Sequence, residues 1–96
     1  MTVVLCGNDV LAAGAIQRAA KLGIDVPGQV SITGFDDIAL AQLVTPGLTT
    51  VRVPHRAMGE AAAEALISLL QGGEAKSCAL PTEICLRHSL GPPAKH

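Results

Sequence analysis

Apolar and polar positions along the first third of the chain predict a strand, a helix and a second strand. Residues 2–7, TVVLCG, form a short β-branched run whose lack of alternation indicates a strand covered on both faces. Apolar residues then recur at helical spacing, at Leu11, Ala12, Ala15, Ile16, Ala19 and Leu22. Gly23 is expected to end this helix, and residues 30–35, VSITGF, predict the second strand. Together they have the length of a parallel crossover unit.

The rest of the chain continues the alternation of strands and helices. Residues 36–46 predict a short helix that ends before Pro46, and residues 48–54, LTTVRVP, predict an extended connector. A long helix follows from Pro54, with apolar residues at Met58, Ala61, Ala62, Ala65, Leu66 and Leu69. Residues 80–89 alternate as a last strand. The pattern therefore predicts an α/β fold, a parallel sheet with flanking helices.

Composition narrows the class of protein. Of the 96 residues, 49% are apolar and 16% are charged, which is typical of one globular domain or part of a larger one. The net charge is −1 and the basic residues are dispersed, so this segment alone is not expected to bind nucleic acid. No apolar run approaches the roughly 20 residues of a membrane span. The first strand begins directly after Met1, and we therefore expect the C-terminal portion of a longer protein.

The three cysteines, Cys6, Cys78 and Cys85, show no CxxC spacing. An odd number without metal-ligand spacing fits a reducing cytosol, and we interpret them as small apolar residues.

Two polar pairs follow the first two predicted strands. Asn8 and Asp9 come after the first strand, and Asp36 and Asp37 come after the second. Ligands of open α/β sheets bind beyond the carboxyl ends of parallel strands, so both pairs are expected to lie near one cleft. All four residues could instead cap helices. We expect Asp9 and Asp37 to be the caps, and Asn8 and Asp36 to contact a polar small molecule.

An enzyme is a weaker alternative. Asp36 and Asp37 are adjacent on a strand, so their side chains point to opposite faces and do not converge on one ion without a turn. Cys6 with a histidine could form a nucleophile and base, but the sequence contains neither GxGxxG nor a phosphate-binding GxxxxGK[ST]. We therefore predict no catalytic residue, no metal site and no cofactor.

An ordered series of motifs runs through nearly the whole chain: ND, AxGA, LGxxVPxxVSxxGFDD, TPxLTTVxxP and MGxxAxxxL. In this order and spacing the series resembles the LacI/GalR family of bacterial transcriptional regulators. The resemblance implies a periplasmic-binding-protein-like sensor fold of class I, with two α/β subdomains joined by crossover strands and an effector between them.

The resemblance also implies how this chain divides. Residues 1–48 and about 86–92 would belong to the C-terminal subdomain, and about 54–80 to the N-terminal subdomain. Residues 48–54 and about 81–87 would be crossovers. By this division, we expect the family's N-terminal DNA-binding domain to lie outside this chain.

Site residues carry over from the family by position. Asn8 and Asp36 match its effector-binding residues, and Phe35 matches the aromatic beside the latter. His55 lies just past the crossover, where some members of the family have a ligand-contacting side chain. Its match to that position is poor, and the alternative is that His55 is a surface residue of the helix. The family's dimer interface would here involve Leu11, Ile16, Leu40, Leu43 and Val44. Ordinary core packing is an equal alternative for Leu11 and Ile16.

The resemblance favours a transcriptional regulator over a sugar-binding transport protein and over an enzyme. We expect the sensing and homodimerising portion of a cytoplasmic repressor that binds a sugar or related polar effector. In the full-length protein, effector binding would be coupled to operator DNA. The alternative is a sugar-binding protein of a transport system. An upstream helix-turn-helix or a signal peptide would decide between these two.

Overall fold

The chain alternates short strands and helices, as the pattern of apolar residues predicted. A computed structural model describes residues 2–93. The elements, in order, are β1 (Val3–Leu5), α1 (Asp9–Lys21), β2 (Ser31–Thr33), α2 (Leu40–Leu43), β3 (Thr50–Arg52), α3 (His55–Leu70) and β4 (Glu83–Cys85). Each predicted segment has its element, although the strands are shorter than expected. The fold is α/β with a parallel sheet and helices, as predicted.

The strands form two hydrogen-bonded pairs. β1 and β2 run parallel, with Leu5 opposite Thr33, and β3 and β4 run antiparallel. Two isolated parallel bridges, Thr33 to Thr49 and Asp36 to Arg52, connect the end of β2 to the β3 segment. The carboxyl ends of β1, β2 and β3 therefore meet at one edge of the sheet, which we call the carboxyl edge.

Helix α1 covers one face of the sheet through small side chains. Ala12, Ile16 and Ala19 are buried at helical spacing. The helix ends at Lys21, and Gly23, two residues later, has a φ of 73°, in the left-handed region that glycine adopts without steric cost. The buried apolar cluster contains Ala12, Ile16, Ile32, Ala41 and Leu48. This core is small: α1 supplies two of its residues, and β2, α2 and the segment before β3 supply one each.

The prediction that the first strand is covered on both faces is not met among the described residues. Val4 and Cys6 pack against the core on the α1 side of the sheet. Val3 and Leu5 point to the opposite face, where they are 40% and 77% exposed. The run TVVLCG is therefore apolar on both faces although α1 covers only one.

Two compact units divide the described chain. One contains the residues up to Arg52 and those from Glu83 onward, and the other contains Val53–Thr82. The first unit holds the sheet, α1, α2 and the core. The second is built around α3, in which the structure described for residues 2–93 shows no buried residue. The chain leaves the first unit after β3 and returns to it at β4.

Candidate functional site

The carboxyl edge carries both polar pairs that the sequence singled out. Asn8 and Asp36 follow β1 and β2 by the same number of residues, because Leu5 lies opposite Thr33 in the parallel register. The backbone N–H of Asp9 donates to the carbonyl of Phe35 at 3.1 Å, which ties the two loops together. Asn8 and Asp36 therefore lie on adjacent loops at one edge of the sheet.

Asn8, rather than Asp9, caps α1. Its backbone is extended, with φ −157° and ψ 174°, and its Oδ1 accepts from the backbone N–H of Leu11 at 2.9 Å. The predicted cap at Asp9 is wrong by one residue, because the helix already begins at Asp9. The capping bond uses the oxygen of the Asn8 amide, so the amide nitrogen keeps its two N–H donors outside that bond.

Asp9 is instead a buried tie between three segments. Its side chain is almost fully buried, with the residue 1% exposed. One carboxylate oxygen accepts from the hydroxyl of Thr50 at 2.6 Å, and the other accepts from the backbone N–H of Ile38 at 2.8 Å. Both side-chain oxygens of Asp9 are therefore hydrogen-bonded, as buried polar atoms require. This tie fixes the start of α1 against β3 and against the loop after β2.

The loop after β2 has an uncommon backbone at Asp36 and Asp37. Their φ angles are 115° and 58°, in a region that L-residues other than Asn and Asp rarely adopt. The N–H of Asp36 donates to the carbonyl of Val51 at 2.9 Å, which continues the ladder toward β3. The predicted cap at Asp37 is also wrong, because α2 begins only at Leu40 and Ala39 precedes it without a side-chain cap.

Asp37 is a buried carboxylate held by two arginines. The Nε of Arg52 lies 2.9 Å from one of its oxygens, and NH2 of Arg87 lies 2.7 Å from the other. The Asp37 side chain is only 6% exposed. Burial acts to raise the pKa of Asp37, but the hydrogen bonds and charges of Arg52 and Arg87 outweigh it and hold that pKa below its ordinary value. Asp37 is therefore an ionised group at neutral pH.

The two weaker site predictions lie in different units. Phe35 is 42% exposed and immediately precedes Asp36 at the carboxyl edge. His55 is exposed and is the first residue of α3, in the second unit. The roles predicted for Asn8, Asp36, Phe35 and His55 stay predictions.

The residues predicted for a dimer interface separate into surface and core. Leu11 and Leu43 are 60% and 77% exposed, and Leu40 and Val44 are partly buried. Ile16 is only 4% exposed and belongs to the apolar core, and its predicted role in a dimer interface stays a prediction.

An apolar groove of about 630 Å³ separates α1 from α2. We call it the α1–α2 groove. It is lined by Val10, Ala13, Gly14, Ile16, Gln17, Ala20, Leu40, Val44 and Thr45. Three of the residues predicted for the dimer interface lie in this lining: Ile16, Leu40 and Val44. Asn8, Phe35 and Asp36 do not line it, so the groove and the carboxyl edge are different sites.

Sequence reasoning missed several residues. Val10, Ala13, Gly14 and Gln17 follow one another at i, i+3, i+4 and i+7, so a second stripe on α1 was visible in the sequence. Arg52 and Arg87 gave no such signal, because the chain separates them from Asp37 by 15 and 50 residues.

Other chemistry in residues 2–93 is limited. No group of three or more His, Cys, Asp or Glu side chains in this range could hold a metal ion. Burial raises the pKa of the Cys6 thiol, which disfavours the reactive thiolate. Cys6 packs against the core as predicted, whereas Cys78 is exposed. Among the described helices, none is long and apolar enough to cross a membrane.

Comparison with known proteins identifies the fold. The profile of the periplasmic binding protein-like domain matches residues 2–90. The HTH-type transcriptional regulator MalR of Streptomyces coelicolor is 49% identical over 74% of this chain, which spans only 21% of that relative's length. The lactose operon repressor of Rhizobium radiobacter is 35% identical over 95% of this chain and 81% of that relative.

A solved structure agrees with these relatives. The LacI family transcriptional regulator from Arthrobacter sp. FB24, in complex with lactose, is 31% identical with a TM-score of 0.78. The match covers 95% of this chain and 36% of that structure's chain. The chain therefore belongs to the LacI/GalR family of bacterial transcriptional regulators, and its fold is that of the family's periplasmic-binding-protein-like domain.

Proposed function

We propose that this chain is part of the effector-sensing region of a transcriptional repressor, and that the effector is a small polar molecule such as a sugar. The observation that carries the proposal is the position of Asn8 and Asp36 on adjacent loops at the carboxyl edge. An amide that donates and a carboxylate that accepts match the hydroxyl groups of a saccharide.

The relatives support a regulator over a sugar-binding protein of a transport system. MalR and the lactose operon repressor are both regulators by name, and a LacI family regulator was solved with lactose bound. The same comparison supports a cytoplasmic protein that is not an enzyme. Binding to operator DNA would belong to another part of the complete protein, because the chain has a net charge of −1.

The division of the chain fits this proposal. We assign the first unit to the family's C-terminal subdomain and the second to its N-terminal subdomain. The crossovers predicted at 48–54 and about 81–87 contain the unit boundaries, between Arg52 and Val53 and between Thr82 and Glu83.

The proposed effector site is tested by replacing Asp36 in the complete gene product. Alanine is strained at a φ of 115°, whereas asparagine tolerates a positive φ and keeps the size of the side chain. We therefore expect Asp36→Asn to show the loss of charge most cleanly, and Asp36→Ala to lose about 2–3 kcal/mol of binding free energy. Titration calorimetry with lactose and a panel of mono- and disaccharides measures both.

The matched control is Glu60→Gln. Glu60 is 63% exposed and pairs with Arg56 on α3, so its replacement also removes one negative charge and one ion pair. We expect it to leave saccharide affinity unchanged. Equal affinity of the Asp36 variants and the unaltered protein would remove Asp36 from the site. Failure of every saccharide to raise the unfolding temperature would reject the sugar as effector class.

A further inference from the structure

Asp37, in the loop after β2, is linked by ion pairs to the two places where the chain leaves and re-enters the first unit. Arg52 is the last residue of β3 and the last residue of the first unit before the chain leaves it. Glu83 is the first residue after the chain returns, and its carboxylate lies 3.6 Å from NH1 of Arg52. Both connections are therefore linked to Asp37 through Arg52.

Arg87 ties the same carboxylate to the start of the β3 segment. Its NH2 group pairs with Asp37, and its NH1 group donates to the carbonyl of Leu48 at 2.8 Å. The backbone N–H of Arg87 donates to the hydroxyl of Thr49 at 2.9 Å. The Arg87 side chain is 17% exposed, so this pair is shielded from solvent. We call Asp37, Arg52 and Arg87 the Asp37 clamp.

Stability alone is a weak reason for such a clamp. Removing a carboxylate and a guanidinium from water costs free energy that offsets much of their attraction. Apolar side chains in the same place often give equal stability. The clamp does hold a strained segment, since Asp36 and Asp37 both have positive φ angles. A backbone in this region persists only where surrounding contacts fix it, and the two arginines provide such contacts.

We propose that Asp37 is a positioning residue that fixes the backbone of Asp36 for ligand binding. This inference rests on the proposed function, in which the Asp36 carboxylate contacts the effector. Asp37 acts through its neighbour: its two ion pairs hold the loop against β3 and the segment after β4, and Asp36 is held with it. Asp37 does not touch the ligand.

The first test needs no ligand. The N–H of Asp36 donates to Val51, so its hydrogen exchange reports how firmly this loop is held. Asp37→Asn keeps the side-chain size and tolerates the φ of 58° but removes the charge that pairs with the arginines. After correction for intrinsic rates, we expect exchange at Asp36 to accelerate about tenfold. Exchange at Ile32, in the core, should not change.

Arg87→Gln is a second variant, and it leaves the residues next to Asp36 in the sequence unchanged. Glu60→Gln is again the control. We expect Arg87→Gln to accelerate exchange at Asp36 and Glu60→Gln to leave it unchanged. Unchanged exchange at Asp36 in both clamp variants, or equal acceleration at Ile32, would overturn the positioning role.

The second test uses lactose and the complete gene product. If Asp37 acts through Asp36, Asp37→Asn should lower lactose affinity about tenfold in the unaltered protein but less than about twofold when Asp36→Asn is already present. A merely structural role would give the same loss in both backgrounds, and that result would overturn the inference.

The two proposals fail separately. If Asp36→Asn binds lactose as the unaltered protein does, the proposed site is wrong. If Asp36→Asn weakens binding and Asp37→Asn does not, only the clamp is wrong. If the protein does not bind lactose at all, the proposal of a saccharide effector loses its support. The hydrogen-exchange result then tests the positioning role of Asp37 by itself.

Discussion

Asn8 and Asp9 have different roles, because Asn8 precedes α1 and Asp9 is its first residue. Asn8 keeps an extended backbone and caps α1. Asp9 is the first helical residue, and its carboxylate turns inward to Thr50 and to the N–H of Ile38. The space for that carboxylate depends on Gly34, where an added Cβ would meet Asp9 Oδ1 and lie 2.9 Å from a methyl of Leu48.

Gly34→Ala should therefore destabilise the chain. The added methyl has to displace either the buried carboxylate or the core leucine, which costs about 2–4 kcal/mol of unfolding free energy. Urea denaturation measures this loss. Gly59→Ala is the matched control, because nothing lies within 4 Å of a Cβ built at this position of α3. It should stabilise the chain by about 0.5–1 kcal/mol. Equal stability of Gly34→Ala and the unaltered chain would contradict this account of Asp9.

At the residue scale, the sequence located the polar positions but not their partners. That Asn8 or Asp9 caps α1 followed from the helical period, because a cap must precede the first buried residues. Which of the two caps was not predictable, since both side chains are good caps and helix ends are uncertain by a residue or two. The inward turn of Asp9 depends on Thr50, far away along the chain.

At the element scale, α1 carries two apolar stripes with different surroundings. Ala12, Ile16 and Ala19 face the sheet. Val10 and Gly14 instead line the α1–α2 groove together with residues of α2. Leu43, on α2 directly before the lining residue Val44, is 77% exposed, so an exposed apolar side chain adjoins the apolar groove. We propose that this surface forms the homodimer interface.

Leu43→Asp should shift the complete gene product from dimer toward monomer. A carboxylate buried in an apolar interface has no partner there, so association loses free energy while the fold, in which this side chain is exposed, does not. Sedimentation velocity measures the shift. Leu70→Asp is the control, because Leu70 is 78% exposed but lies on α3. A dimer that survives Leu43→Asp, or that Leu70→Asp disrupts equally, would reject this interface.

Elements were predictable from the sequence where the period was clear. The helices α1 and α3 and the described strands β1 to β4 follow from apolar spacing, and the end of α1 follows from Gly23, which has a positive φ. Coverage of the strands was not predictable. The run that became β1 is apolar on both faces, and only the tertiary structure shows that Val3 and Leu5 face away from α1.

At the scale of the whole molecule, motifs that are far apart in sequence converge at the carboxyl edge. The ND motif supplies Asp9, the GFDD motif supplies Gly34, and the LTTV motif supplies Thr50. These residues contact one another or share a close approach. The family could be identified from the sequence because these motifs are local and ordered. Their contacts required coordinates, because register between segments sets them.

The most direct test of this account is a crystal structure of the complete gene product with lactose, or with the saccharide that binds most tightly. We predict that the amide of Asn8 and the carboxylate of Asp36 both lie about 2.7–3.2 Å from hydroxyl groups of the same sugar molecule. A sugar bound elsewhere on the chain, such as in the α1–α2 groove, with neither residue in contact, would contradict the proposed site.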